Sequence, residues 1–292
     1  MTGKRAIITG GSRGLGYEIA KEFVLSGANV CICARDEHEL QNAVESLYEF
    51  RRYRDQKILF KKSDIGNTTD IDELYDYAIS DMKEIDIVVN NAAIQGPIGL
   101  FEHNSWDEVL RVLDVDLIGV LYSMRKAVNV FKEIDIASNN KMDKCIINIS
   151  GGGATSVRPN FMGYAIAKTG VVRATEILAK ETEEYGIRVN AVAPGAMNTR
   201  MIDDIIKAGK DAGSEYKKSL ERKDADDKTQ RRAAKCVAWL ASERAAGITG
   251  RLISAMWDGW DIYSDECIRQ IGESDIYTLR RIIPKDRGYD WE

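Results

Sequence analysis

Tyr164 and Lys168 stand four residues apart at the start of a run with helical periodicity, so a phenol and an ammonium share one helix face. A cation that close favours phenolate over phenol, and would let the tyrosine act as an acid or base near neutral pH. The same spacing also describes an ion–dipole pair on an amphipathic surface helix. The pair therefore gains meaning only from what positions it. Just upstream, Cys145–Ile149 is an apolar run that reads as a buried strand, and Gly151, Gly152 and Gly153 follow where that strand would end.

The N-terminal segment supplies a partner for that chemistry. Arg5–Thr9 is β-rich without clear alternation, as expected of a strand buried on both faces of a parallel sheet. It runs into Gly10, Gly11, Ser12, Arg13, Gly14, Leu15 and Gly16. Tyr17–Leu25 then has helical periodicity that stops at Gly27. Strand, glycine loop and helix together hold a dinucleotide: the glycines let backbone approach a pyrophosphate, and the helix N-terminus aims N–H groups at it. Asn29–Ala34 reads as a second strand, and Arg35 follows where a ribose-reading residue would sit. An acid there would take both ribose hydroxyls. Arg13 and Arg35 instead suit a 2′-phosphate, so the expected cofactor is NADP(H), with NAD(H) the alternative.

Strand and helix patterns then alternate without a linker. A helix is expected over Glu37–Arg54, a strand over Lys57–Lys61, a helix over Thr69–Lys83 and a strand over Ile85–Asn90. Asp64 lies just past the third strand, where it could accept from an adenine amino group or cap a helix. Asn90, Asn91, Ala92 and Ala93 leave room for a cofactor across the strand ends. A single long helix is expected over Trp106–Phe131, another over Phe161–Tyr185, and a strand over Ile187–Val192 ending in Pro194 and Gly195. Met201–Lys228, with Gly209 and Gly213 inside it, reads as a mobile helical flap. A helix over Thr229–Ala241 and a strand over Gly250–Ala255 complete one doubly wound α/β domain.

The 292 residues are 44% hydrophobic and 30% charged with a net charge of −5, and the cations are scattered among acids. That is no nucleic-acid surface, and no apolar run is long enough to span a bilayer. Lys4–Thr9 already reads as a structural strand, so no leader peptide is expected. Five cysteines without a disulfide framework point to a reducing, cytoplasmic setting, with Cys31 and Cys33 as core thiols. His38 and His103 lie far apart and suggest surface positions, so no metal site is expected.

Taken in order, T-G-G-S-R-G-L-G at 9–16, N-N-A-A at 90–93, Y-A-I-A-K at 164–168 and P-G-A-M-N-T at 194–199 resemble the short-chain dehydrogenase/reductase family, in its simple branch. The resemblance covers roughly residues 3–259. It implies a Rossmann-like three-layer α/β/α domain over residues 1–260, with a seven-stranded parallel sheet. The implied reaction is NAD(P)-dependent hydride transfer between alcohol and carbonyl on a small-molecule substrate, usually in a homo-oligomer (a dimer or tetramer). It implies Tyr164 as acid/base, with Lys168 lowering its pKa and holding the nicotinamide ribose. Gly10, Ser12, Arg13, Gly14, Leu15 and Gly16 would line the pyrophosphate and Arg35 the 2′-phosphate. Asp64 and Ile65 would meet adenine, Asn91 and Ala92 the body of the cofactor, and Pro194, Gly195 and Thr199 its nicotinamide end.

Three positions depart from that pattern. The family's substrate-orienting serine, thirteen residues before the tyrosine, falls on Gly151. Ser150 is adjacent, but strand alternation would turn its side chain the other way. Asp116 stands where the family's relay asparagine would be, and Ala93 ends the N-N-A-A motif. Either Ser150, Thr155, Ser156 or the substrate itself replaces the missing hydroxyl, or the chain binds NADP(H) with little turnover as a regulatory or structural partner. In the first case the three glycines also make space for a bulky substrate. Arg158 and Arg200 could hold an anionic or sugar-like one. Residues 261–292 are rich in aromatics and are expected to pack on the domain, over the site's mouth, or on a neighbouring subunit.

Overall fold

A computed structural model describes residues 1–138, 143–223 and 228–291. In chain order it holds β1 (Arg5–Thr9), α1 (Gly14–Leu25), β2 (Asn29–Ala34), α2 (Glu37–Tyr48), β3 (Ile58–Lys62), α3 (Thr68–Met82) and β4 (Ile87–Asn90). There follow α4 (Trp106–Leu113), a π-helical turn (Asp114–Ile118), α5 (Gly119–Ser138), β5 (Lys144–Ile149), α6 (Met162–Glu181) and β6 (Ile187–Ala193). The chain continues through α7 (Arg200–Ala208), α8 (Ser214–Lys223), α9 (Lys228–Leu240), β7 (Leu252–Ser254) and α10 (Asp265–Glu273). The described strands form one seven-stranded sheet in the order β3-β2-β1-β4-β5-β6-β7. Every neighbouring pair is parallel.

Strand alternation sorts the core into two layers. Ala6 and Ile8 face α1 and α9, where Ile19, Phe23, Val237 and Leu240 are buried. Ile7 faces the other way with Cys31 and Cys33, against Leu74, Phe131 and Val171 of α3, α5 and α6. Both layers are buried, which is why these strands read as continuous apolar runs. Burial in this core raises the Cys33 thiol to about 12. His38 and His103 are exposed.

Three expected elements differ, and a fourth segment, beyond residue 260, is seen against the domain. The helix after β2 ends at Tyr48 rather than Arg54. Buried Gln56 accepts from the Arg52 N–H at 2.8 Å and donates to the carbonyls of Val24 and Ala28, turning the chain into β3. The single helix over Trp106–Phe131 is interrupted by the π turn that contains Asp116. The flap is two helices, α7 and α8, and it carries a small core of its own: Ile205 and Ala212 pack on buried Phe161. Its residues 224–227 lie outside the described residues. Finally, the chain beyond residue 260 follows the sheet edge. The Leu252 N–H of β7 donates to the Tyr277 carbonyl at 2.8 Å, and Leu279 packs with Ala154, Val172 and Leu252.

A buried polar chain ties the strands that feed the site to the helices around them. Tyr75 and Ser123 pair hydroxyls at 3.0 Å, Ser123 donates to Asn90 at 2.7 Å, Asn90 to Asn148 at 2.8 Å, and Asn148 to Thr175 on α6 at 2.9 Å. Truncating one member strands another in a dry interior. Asn148→Ala should therefore lower the unfolding free energy by about 2–4 kcal/mol in urea denaturation. Adding Asn90→Ala should cost less than the sum of the two single changes; strict additivity would show that the two amides do not act as a unit.

Candidate active site

A cleft of about 870 Å³ opens at the C-terminal ends of the strands, where the order reverses between β1 and β4. One end is built by the loop from β1 to α1. Gly10 has φ +66°, and a Cβ on Gly16 would stand 2.0 Å from the Gly10 carbonyl oxygen, so that turn excludes any larger residue. Asn91 holds the loop from β4: its side-chain amide donates to Thr9 O at 2.9 Å and Gly10 O at 3.2 Å. Its own N–H and that of Ala92 donate to the Thr9 hydroxyl. No side chain caps α1 and no acid lies in its first turn. Its N–H groups and positive dipole end thus face the cleft for an anion, and the site suits a dinucleotide pyrophosphate.

At the other end, α6 presents Tyr164 and, one turn on, Lys168, both buried. The Lys168 ammonium is 2% exposed, donates to Ile149 O at 3.2 Å and stands 3.4 Å from an Asp116 carboxylate oxygen. The π turn delivers that carboxylate: one extra residue per turn brings Asp116 inward, where its other oxygen accepts from the Ile94 N–H at 2.8 Å. Burial pushes the Asp116 carboxyl above its ordinary range, with Lys168 drawing it back down. Burial likewise raises the Tyr164 phenol; Lys168 and then Arg158 pull it down, while Asp116 pushes it up.

The structure revises several roles expected from the letters. Arg13 is not free: its guanidinium lies 2.7 and 2.8 Å from the two Glu39 carboxylate oxygens. Arg200 also binds Glu39, at 3.1 Å, and so sits beside Arg13 and the glycine loop. Asp64 is engaged by Arg111 at 2.5 Å and by the Gly66 N–H, and the cap of α3 is Asn67. Asn91 serves the glycine loop through its side chain. Asp116, Gly151, Arg158 and Gly195 lie outside the cleft wall. Met256 occupies the space beside Gly195.

Gly151 and Gly153 leave less room than expected, because their space is filled from within the protein, whereas a Cβ on Gly152 would meet nothing nearer than Arg158 at 3.8 Å. A Cβ on Gly151 would lie 2.2 Å from the Tyr164 hydroxyl, and one on Gly153 would lie 2.7 Å from the Ala165 Cβ. The Arg158 guanidinium stacks over Phe161 at 3.8 Å, lies 5.5 Å from the Tyr164 ring centre and pairs with Glu215 of α8 at 3.7 Å. Ser150 does line the cleft, because strand alternation stops at Ile149, the last residue of β5. Its hydroxyl is buried without a hydrogen-bond partner.

Two residues on the cleft wall carried no legible signal. Glu39 looks like an ordinary acid in the first turn of α2, and Gln230 like one position of α9. Only folding brings Gln230 to the Asn198 carbonyl, to which it donates at 2.6 Å. None of residues 261–291 lines the cleft.

A strand–glycine loop–helix cradle facing a buried Tyr–Lys pair defines a dinucleotide-dependent oxidoreductase. Residues 10–256 match the family model described as enoyl-(acyl carrier protein) reductase. The chain is 35% identical to 3beta-hydroxysteroid dehydrogenase 1 of Eggerthella lenta, over 86% of this chain and 91% of that protein. It is 30% identical to glucose 1-dehydrogenase 2 of Bacillus subtilis, over 86% and 92%. The 3-ketoacyl-(acyl-carrier-protein) reductase of Brucella melitensis, solved with NADH, superposes with a TM-score of 0.73 at 29% identity, over 87% and 96%. The chain belongs to the short-chain dehydrogenase/reductase family. It is an NAD(P)(H)-dependent enzyme that interconverts alcohol and carbonyl groups.

Two tests follow from this geometry. Gly151→Ala forces the Tyr164 hydroxyl from its seat and should lower kcat on the order of 10²-fold; a rate at or above wild type would place the reactive hydroxyl elsewhere. Asp116→Asn removes a charge that raises Tyr164 and competes for Lys168, so the tyrosine pKa should fall. Alcohol oxidation needs the phenolate and gains rate as pH rises through that pKa, so the variant's rise should come at lower pH. Carbonyl reduction needs the phenol, and its falling limb should move the same way. An unmoved profile would remove Asp116 from the acid–base group.

Proposed function

We propose that this enzyme uses NADP(H) to interconvert an alcohol and a carbonyl on a polar, sugar-like substrate, with Tyr164 as the proton donor and acceptor. The observation that carries this is the buried Tyr164–Lys168–Asp116 group closing one end of a cleft whose other end is an uncapped helix N-terminus. The bound nicotinamide supplies or accepts the hydride. Lys168 stabilises the phenolate and reaches the nicotinamide ribose, and Asp116 holds Lys168 from behind. Gly10, Ser12, Gly14, Leu15 and Gly16 bed the pyrophosphate. Asp64, Ile65 and Ala92 flank the adenine and the body of the cofactor, and Pro194 and Thr199 enclose its nicotinamide end.

The NADP(H) preference rests on Arg35, which is exposed on the cleft wall and makes no ion pair among the described residues, with Arg13 beside it. A polar substrate is favoured by a buried hydroxyl without a partner on the cleft wall, Ser150 Oγ. Such an atom is costly unless a ligand meets it. In this reading Gly151 takes the place of a substrate-orienting serine, and Ser150, on the cleft wall, supplies the hydroxyl.

The same proposal has residues 1–260 as the catalytic domain, with 261–292 as an extension packed on it. It also has a cytoplasmic homo-oligomer. Trp106, Ile118, Ile166 and Ile177, on α4, the π turn and α6, are exposed apolar side chains that suit a subunit contact. No described helix is long and apolar enough to cross a membrane.

NADPH oxidation should appear across a panel of sugar and polyol-derived carbonyls, and NADP+ reduction across the matching alcohols. Tyr164→Phe should lower turnover about 10²–10⁴-fold while leaving the NADPH Kd within a few-fold of wild type. Retained turnover in that variant would refute the tyrosine's role. Tight NADPH binding with no turnover on any substrate would favour a binding protein over an enzyme acting on this substrate class.

A further inference from the structure

One carboxylate on the cleft wall is shared by two cations from distant segments. Glu39 takes the Arg13 guanidinium with both oxygens, at 2.7 and 2.8 Å, and Arg200 with one, at 3.1 Å. The Ser12 hydroxyl donates to it at 3.3 Å. The contact joins the glycine loop, the first turn of α2 and the first residue of the flap. Arg35 opens onto the same end of the cleft.

Nothing in the fold requires this arrangement. Asp36 already caps α2, accepting from the Glu39 backbone N–H at 3.0 Å, so the Glu39 side chain has no capping duty. All three side chains reach solvent, with 28% of Glu39, 47% of Arg13 and 66% of Arg200 exposed. Ion pairs in that setting are weak and exchangeable. A phosphate monoester carries more charge than a carboxylate and offers more acceptor oxygens to guanidinium forks.

We propose that Glu39 is the cofactor-discriminating residue of this enzyme, and that Arg13 and Arg200 exchange its carboxylate for the adenosine 2′-phosphate when NADP(H) binds. The inference rests on the NADP(H) reading and deepens it. It makes Arg200 a cofactor ligand supplied by the flap, and it makes the Glu39 pair the cost that a 2′-phosphate must overcome. A dinucleotide lacking that phosphate leaves the pair intact and meets Glu39 as an acceptor for its ribose hydroxyls.

The test is direct binding of NADPH and NADH to the full chain, by calorimetry or nucleotide fluorescence, in wild type, Glu39→Gln and Arg200→Gln. Thermal melts without cofactor check that each variant is folded. Glu39→Gln should shift the NADPH-to-NADH affinity ratio about tenfold toward NADPH, and Arg200→Gln should weaken NADPH about tenfold while leaving NADH within about twofold. A ratio in Glu39→Gln within about twofold of wild type overturns the proposal, as does an equal loss for both dinucleotides in Arg200→Gln. A wild type that binds NADH more tightly, in a series where Glu39→Gln still swings toward NADPH, rejects the NADP(H) preference and keeps Glu39 as the discriminator.

Discussion

The ammonium of Lys168 has almost no contact with water, and a charge in that position persists only with counter-charge and acceptors around it. Asp116 and the Ile149 carbonyl supply them. Much of the local architecture follows from that requirement. The Asp116 carboxylate arrives through a π turn that breaks an otherwise continuous helix. The Ile149 carbonyl is available because β5 ends there. Asp116 in turn takes the Ile94 N–H, which fixes the chain leaving β4. One buried cation thus binds together the ends of two strands and the start of α6, and Tyr164 is placed by the same helix.

The two ends of the cleft use charge differently. Around Tyr164 the charges are buried, few and fixed, so each has a large effect on a neighbouring proton. At the Glu39 end they are exposed, numerous and exchangeable, and Glu39 holds two arginines without contributing to any core. Buried pairs tune acidity because the low dielectric does not screen them. Exposed pairs can be replaced by a ligand because water already screens them.

Much of this was readable from the chain because it depends on local chemistry. Glycine at 10, 14 and 16 is required by backbone conformation and close approach, and the strand–loop–helix order around it is contiguous. Tyr164 and Lys168 share a helix face by spacing alone. The strands announce themselves as apolar runs because both faces of the sheet are covered. What failed did so where a distant side chain intervened. The helix after β2 ended early because Gln56 reached back to Val24 and Ala28. The long helix after Trp106 broke because Asp116 had a buried partner on α6.

The sequence by itself therefore determined the dinucleotide-binding α/β frame, the shared helix face of Tyr164 and Lys168, and the family, all written in neighbouring residues or helical spacing. Only the tertiary structure decided which charges meet. It paired Arg13 and Arg200 with Glu39, set Asp116 behind Lys168, and filled the space of Gly151 with the Tyr164 hydroxyl. The physical reason is that electrostatic partners and excluded volume are properties of distance in space. The intervals of 26 and 161 residues that separate Glu39 from its two arginines leave no trace in local pattern.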